Sequence, residues 1–364
     1  MLPLALLFAA EEERQKKILN MQRRQLREDF KPMLCRLSEW MFVDNFRMGK
    51  DKFLKLCEDL MPLLHPTQRS TAIRPELKIL ATLQYYGSGS YQSSLVNNFN
   101  LGLSQTSLSV CLSEVTNAIN QPQILKKYVT FPRSSSKRIE VAKSFRDQYG
   151  FPGVLGCIDT THVAIKRPRD NEEAYFNRKL YHSLNVMLIC DADLRILYVD
   201  ASFGGEIDDL YVWNSCPVRD EMQNLHEKGH KFWLLGDSAY EQHPWMMTPF
   251  LQPIPGSPEE HYNNKHAHAR EAIEKCLNVL KTRFHCLLAD RAMHYSPVKA
   301  GQIVNACVVL HNLISDSSIE IDKEAMSKDF ECQPPSELIL TNDKESCTVR
   351  QALVESLSSL TSMV

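Results

Sequence analysis

The chain of 364 residues is 43% hydrophobic and 24% charged, with a formal net charge of −2. That size supports two domains with a buried core. The near-neutral balance excludes global electrostatic attraction to nucleic acid and leaves that task to local basic patches. Eleven cysteines are scattered singly and no C-x-x-C occurs, which excludes a secreted disulfide framework and a zinc ribbon.

Residues 1–10 (MLPLALLFAA) are apolar but lack the basic flank of a signal peptide and run straight into Glu11, Glu12 and Glu13. No later apolar run approaches the ~20 residues that cross a bilayer. The expectation is a soluble, intracellular protein with no membrane partner. Residues 1–35 read as a basic N-terminal helix. Its stretch 14–31 (RQKKILNMQRRQLREDFK) is either a solvated face or a nucleic-acid arm.

Residues 36–150 read as a helical domain. Phe53, Leu54, Leu56, Leu60 and Leu63 fall at helical spacing over 50–64. A helix–turn–helix-like pattern follows. Pro75 opens a helix that stops at Gly87-Ser88-Gly89, a short helix spans 91–99, and Ser104 caps a third over 105–119. Such a unit can place its last helix in a major groove. Here no Lys or Arg occurs between Lys78 and Lys126, so the third helix is poorly equipped to neutralise phosphate. A structural or protein-binding role fits it better.

The texture changes at Phe151. Residues 154–159 (VLGCID), 182–190, 195–201 and 231–237 (KFWLLGD) read as strands, and 209–225, 267–284 and 297–314 as helices. Cys111, Cys190 and Cys307 lie inside apolar runs and read as small buried thiols. Strands in hairpins followed by strands alternating with helices predict an α/β domain with a mixed sheet over 151–314. Residues 315–364 read as a polar tail with a terminal helix over 348–360.

Two apolar strands end in acids, at Asp159 and Asp237, and α/β proteins build sites at strand ends. Glu274 lies next to Ile273 on an apolar helix face, where a carboxylate is costly unless something binds it. Singly, each has an ordinary explanation. An aspartate after a strand caps the next helix, and Glu274 can pair with Arg270 or Lys281 along its own helix. Jointly, converging carboxylates repel by roughly 4 kcal/mol per pair at ~4 Å and an effective dielectric of about 20. A cation would offset that cost, and all-oxygen ligands suit Mg²⁺ or Mn²⁺. Such ions activate water and stabilise the leaving oxygen in phosphodiester cleavage.

Three segments carry a resemblance: 156–162 (GCIDTTH), 235–240 (LGDSAY) and 268–274 (HAREAIE), the last continuing into 280–287 (LKTRFHCL). They are similar to the acid-bearing motifs of the PIF/Harbinger transposase family. Residues 176–179 (FNRK), 185–186 (NV) and 309–313 (VLHNL) resemble it too. The likeness covers roughly 40–314 and is nearest to the domesticated animal branch, the Harbinger transposase-derived nucleases. It implies an RNase H-like mixed sheet with flanking helices, preceded by the helix–turn–helix-like domain. It also implies Asp159, Asp237 and Glu274 as the catalytic, metal-binding acids. The activity implied is divalent-metal-dependent hydrolysis of DNA. A Myb/SANT-like DNA-binding partner, residence in nucleus and cytoplasm, and homo-oligomerisation complete the expectation. The chain departs from the family pattern in reading Gly204-Gly205-Glu206-Ile207-Asp208-Asp209 where Pro-Gly-Ser-x-His-Asp is usual, and Leu180 where Arg-Lys-Gly is usual. A retired transposase kept as a protein-interaction scaffold, or an active transposase of a mobile element, are the alternatives.

Other candidates are fewer. Lys166, Arg167, Arg169, Arg178 and Lys179 form a basic cluster after the first acid, and Lys275, Lys281 and Arg283 extend it from the Glu274 helix; all eight are candidate phosphate contacts. His261, His266 and His268 fit no common zinc spacing and read as a polar loop. Ser238 lacks the G-x-S-x-G elbow of a hydrolase nucleophile.

Overall fold

A computed structural model describes residues 8, 10–18, 21, 34–35, 37–64, 73–89, 101, 103–315 and 344–361. The helix expected at 91–99, most of the basic stretch 14–31 and most of the segment 315–346 lie outside those residues, so the helix–turn–helix reading is not established. The described residues form two compact units. One comprises Met1–Ile124 with Arg283–Cys286, the other Leu125–Thr282 with Leu287–Val364.

The first unit is helical: α1 (Glu39–Phe46), α2 (Lys50–Leu60), α3 (Pro75–Ser88) and α4 (Gln105–Ile119). Phe42, Phe46 and Phe53 form an aromatic cluster with centroids 4.8 and 5.4 Å apart. Ser104 caps α4 as its position dictates, its hydroxyl accepting from the Ser107 amide at 3.2 Å. Gly89 ends α3 in the left-handed conformation, and a Cβ there would meet the His285 backbone at 2.7 Å. Lys78 is buried and paired with Glu114 at 2.6 Å, so it adds no free charge to α4.

The second unit is a mixed α/β layer structure. Its helices are α5 (Pro122–Tyr128), which begins at the boundary, α6 (Ser135–Tyr149), α7 (Asp209–Asn214), α8 (Pro217–Glu227), α9 (Pro258–Arg283), α10 (Pro297–Ser315) and α11 (Lys344–Thr361). Its strands are β1 (Val154–Ala164), β2 (Ser183–Cys190), β3 (Ile196–Gly204), β4 (Trp233–Leu235) and β5 (Met246–Met247), in the order β3-β2-β1-β4-β5. β1, β2 and β3 are antiparallel neighbours, whereas β4 and β5 run parallel to β1. All eight residues of β2 are buried, as its continuous apolar run requires of a central strand. One face of the sheet packs Ile158, Met187 and Ile189 against Val212, Trp213 and Met222 of α7 and α8.

Three expectations are corrected here. The single helix read over 209–225 is two, because Pro217 cannot continue a helix and the chain turns at Ser215 and Cys216. The helix read from 267 begins at Pro258. The three histidines expected in a polar loop therefore lie on α9, and His266 is buried, bonded through Nε2 to the Met247 carbonyl at 3.0 Å.

The 309–313 motif has a structural task. Asn312 is fully buried on α10, accepts from the Ile196 amide at 2.8 Å, and donates to the Ile196 and Tyr128 carbonyls at 2.7 and 2.8 Å. His311 reaches the Leu194 carbonyl at 2.8 Å. Together they tie α10 to the start of edge strand β3. Replacing Asn312 with alanine removes three hydrogen bonds to buried backbone groups and is expected to cost about 3–5 kcal/mol, read as a lower urea midpoint.

Candidate metal centre

The strand read as ending at Asp159 runs on to Ala164, so Asp159 lies mid-strand on β1, while Asp237 falls two residues past the end of β4. Cys157 of β1 pairs with Leu235 at the end of β4, so Asp159 and Asp237 each stand two residues beyond a matched pair. Neighbouring strands lie ≈ 4.7–4.9 Å apart. Asp159 accepts the Thr160 amide on Oδ1 at 2.8 Å and Arg270 Nη2 on Oδ2 at 3.0 Å. Asp237 accepts the Ala239 amide at 3.0 Å, which bends the chain away from β4.

The electrostatics follow from this proximity. Burial pushes the Asp159 carboxyl up to about 7; Arg270 works against the rise, and Asp237 and Asp209 add to it. Burial also opposes the Arg270 charge, yet Asp159 and Asp237 outweigh it and hold the guanidinium above its ordinary value. Burial, with Arg270 nearby, drives His266 down to about 3, so it is neutral and cannot neutralise these acids.

Asp209 joins the group, a residue the sequence marks only as the surviving acid of a motif. Its Oδ1 accepts from Thr160 Oγ1 at 2.7 Å and Asn185 Nδ2 at 2.9 Å. It thereby ties the first turn of α7 to β1 and β2. The Tyr240 hydroxyl sits in the same field: burial, then Asp209, Asp159 and Asp237, raise its pKa.

Glu274 is placed differently from the reason first given for it. Its neighbours Ile273 and Cys276 are buried, but Glu274 itself is exposed, one helical turn beyond Arg270. Arg270 reaches Asp159, and Lys281 Nζ reaches the His162 carbonyl at 3.4 Å, so both touch β1 from α9. Glu274 lies between them at four- and seven-residue spacing, on that same side of the helix. Among the described residues, no three His, Cys, Asp or Glu side chains form a ready metal cluster.

The residues present nonetheless fit a hard divalent cation. The donors are carboxylate oxygens, one on β1 and one just past β4, and the site already attracts a guanidinium. Arg270 Nε and the Tyr240 hydroxyl are buried with no hydrogen-bond partner among the described residues, and as donors they suit an anionic oxygen beside the cation rather than the cation itself.

The candidate phosphate contacts divide. Lys166, Arg169, Arg178 and Lys179 are exposed. Arg167 is paired with Glu172, and Lys275 with Glu271 at 2.7 Å, so each is already partly neutralised. Lys281 is half-buried beside β1. Arg283 is buried, which removes it from an exposed basic face.

Comparison with known proteins places these residues in a lineage. Residues 158–312 match the family described as DDE superfamily endonuclease, a span that holds all three acids. The chain is 36% identical over 297 residues to "Putative nuclease HARBI1" of Rattus norvegicus, covering 80% of this chain and 82% of that protein. Identity to the Homo sapiens protein of that name is 35% over 298 residues, with 80% and 82% covered. It is 23% over 299 residues to "Protein ALP1-like" of Arabidopsis thaliana, covering 77% of this chain and 70% of that protein. No solved structure matches. With a third of its residues shared across most of both chains, the protein belongs to the Harbinger transposase-derived nuclease family of the DDE superfamily.

Proposed function

We propose that the chain is a divalent-metal-dependent endonuclease that hydrolyses DNA phosphodiester bonds through Asp159, Asp237 and Glu274. The observation that carries this reading is the register match of parallel β1 and β4, which brings Asp159, mid-strand on β1, near Asp237, two residues past the end of β4. Antiparallel β1–β3 with parallel β4 and β5 also suits an RNase H-like sheet. When bound, Mg²⁺ or Mn²⁺ supplies Lewis-acid activation of the attacking oxygen and neutralises charge on the phosphate. Asp159 and Asp237 would hold the cation from the sheet, and Glu274, exposed on α9 one turn beyond Arg270, would complete the set. Arg270 holds the Asp159 carboxylate in the metal-free chain and gives way to the cation. Arg178, Lys179 and Lys281 bind the DNA backbone. The weakly basic first unit leaves sequence selection to a Myb/SANT-like partner protein, which also carries the chain from cytoplasm to nucleus.

A second reading is favoured by one contact. Arg270 occupies an Asp159 oxygen while Glu274 faces solvent, as suits a retired transposase serving as a scaffold. Nicking of supercoiled DNA separates the two. The purified chain is expected to nick in Mn²⁺ or Mg²⁺ but not in EDTA, and Asp237→Asn and Glu274→Gln are expected to abolish nicking. DNA binding without nicking in either metal favours the scaffold.

A further inference from the structure

Between β1 and β2 the chain folds into a small rigid tip. Phe176 and His182 bridge in antiparallel fashion, the Asn177 amide donates to the Tyr181 carbonyl at 3.0 Å, and the Leu180 amide to the Asn177 carbonyl at 3.0 Å. A turn of this kind is closed by a residue in the left-handed region, where glycine is the ordinary choice. Here that residue is Leu180, at φ 65°. A leucine in this conformation is strained. Its side chain is 77% exposed, so packing does not offset the strain.

The tip is also firmly anchored. Asn177 is buried, and its Oδ1 accepts the Lys179 and Tyr181 amides at 2.9 and 3.3 Å. Its Nδ2 donates to Ser183 Oγ at 2.8 Å, and that oxygen lies 3.0 Å from His162 Nδ1 on β1, three residues beyond Asp159. Leu180 is thus held out rigidly, directly after the exposed cations Arg178 and Lys179. An exposed apolar side chain on a braced turn, next to two exposed cations, suits a polyanion that presents apolar stacked faces.

We propose that Leu180 is a wedge that enters between base steps of duplex DNA while Arg178 and Lys179 hold the adjacent phosphates. This rests on DNA being the substrate of the site described above. Inserted apolar side chains unstack a step, and unstacking is easiest where pairing is already weak. The wedge therefore selects distorted or mismatched steps beside the strand that bears Asp159.

The test is competition binding of the full chain in EDTA, so that cleavage plays no part. The competitors are a matched duplex and the same duplex with one central mismatch. The wild type is expected to prefer the mismatched duplex about tenfold, a modest share of the cost of unstacking one step. Leu180→Gly should remove that preference while its thermal midpoint stays level or rises, and Leu180→Met should keep it. Arg178→Gln and Lys179→Gln should weaken binding to both duplexes and flatten the salt dependence. A preference that survives in Leu180→Gly, or a wild type that binds both duplexes equally, overturns the wedge and leaves the DNA reading standing. A wild type that binds neither duplex but does bind an acidic peptide overturns both.

Discussion

Asparagine in place of Asp159 is expected to weaken divalent-cation binding about 10³-fold and to flatten the dependence of stability on pH. The first effect is the loss of one unit charge close to the ion. At ~4 Å and an effective dielectric of about 20 that is roughly 4 kcal/mol, and each 1.4 kcal/mol is about tenfold in affinity. The second follows from the raised carboxyl. Asp159 titrates at about 7 in the folded chain, against an ordinary 3.8. Between those values the folded state binds more protons than the unfolded state. The contribution of Asp159 to stability is therefore greatest below about pH 4, falls as pH rises through the window, and levels off above about pH 7. Three pH units correspond to roughly 4 kcal/mol, as an order of magnitude. Urea denaturation at about pH 5 and pH 8 without divalent ions reads the slope directly. Asp159→Asn should lose most of the difference between the two; an unchanged slope would place the titration elsewhere.

Replacing Arg270 with glutamine should have opposite effects on the apo chain and on cation binding. Arg270 is mostly buried and bonded to an acid that is itself mostly buried, with 13% and 23% of the two side chains exposed. Breaking such a pair leaves an uncompensated charge and costs about 3–5 kcal/mol. Asp159 and Asp237 then lack their organic counter-ion, and a divalent ion no longer competes with it. Mn²⁺ should bind Arg270→Gln at least about tenfold more tightly than the wild type, since removing a like charge at this distance is worth at least 1.4 kcal/mol. Thermal melts in EDTA and in Mn²⁺ check both halves. The variant should melt lower in EDTA and regain more on adding Mn²⁺. Equal Mn²⁺ shifts in both proteins would mean that Arg270 and the cation do not share a place.

How far the sequence revealed this arrangement depended on whether the signal was local. Helix α4 and its Ser104 cap were legible because capping is written in adjacent residues. Asp159 and Asp237 were legible because each ends an apolar run. Arg270 was not, since helical spacing suggested Glu274 as its partner while its actual partner is 111 residues away. The burial assumed for Glu274 came from Ile273 and Cys276, but a helix turns ~100° per residue, and Glu274 falls outside the buried stripe. The first turns of α9 are rich in His, Asn and Lys and show a narrow apolar face, so they read as loop although Tyr262 and His266 are buried there. β5 is two residues long, too short to show any period. The break at Pro217 was missed although the proline marks it, because the helical pattern over 209–225 was given more weight than the residue that ends it.

Calorimetric titration of Mn²⁺ into the full chain, beside Glu274→Gln and Asp237→Asn, tests the three-acid site most directly. The expected result is millimolar or tighter binding by the wild type and a collapse in both variants, because an exposed glutamate weakens binding when replaced only if it swings in to meet the ion. Loss in Asp237→Asn alone would reduce the site to the two sheet aspartates and exclude Glu274. Equal binding by all three proteins, or none by the wild type at high metal concentration, would contradict a metal-dependent nuclease built on these acids.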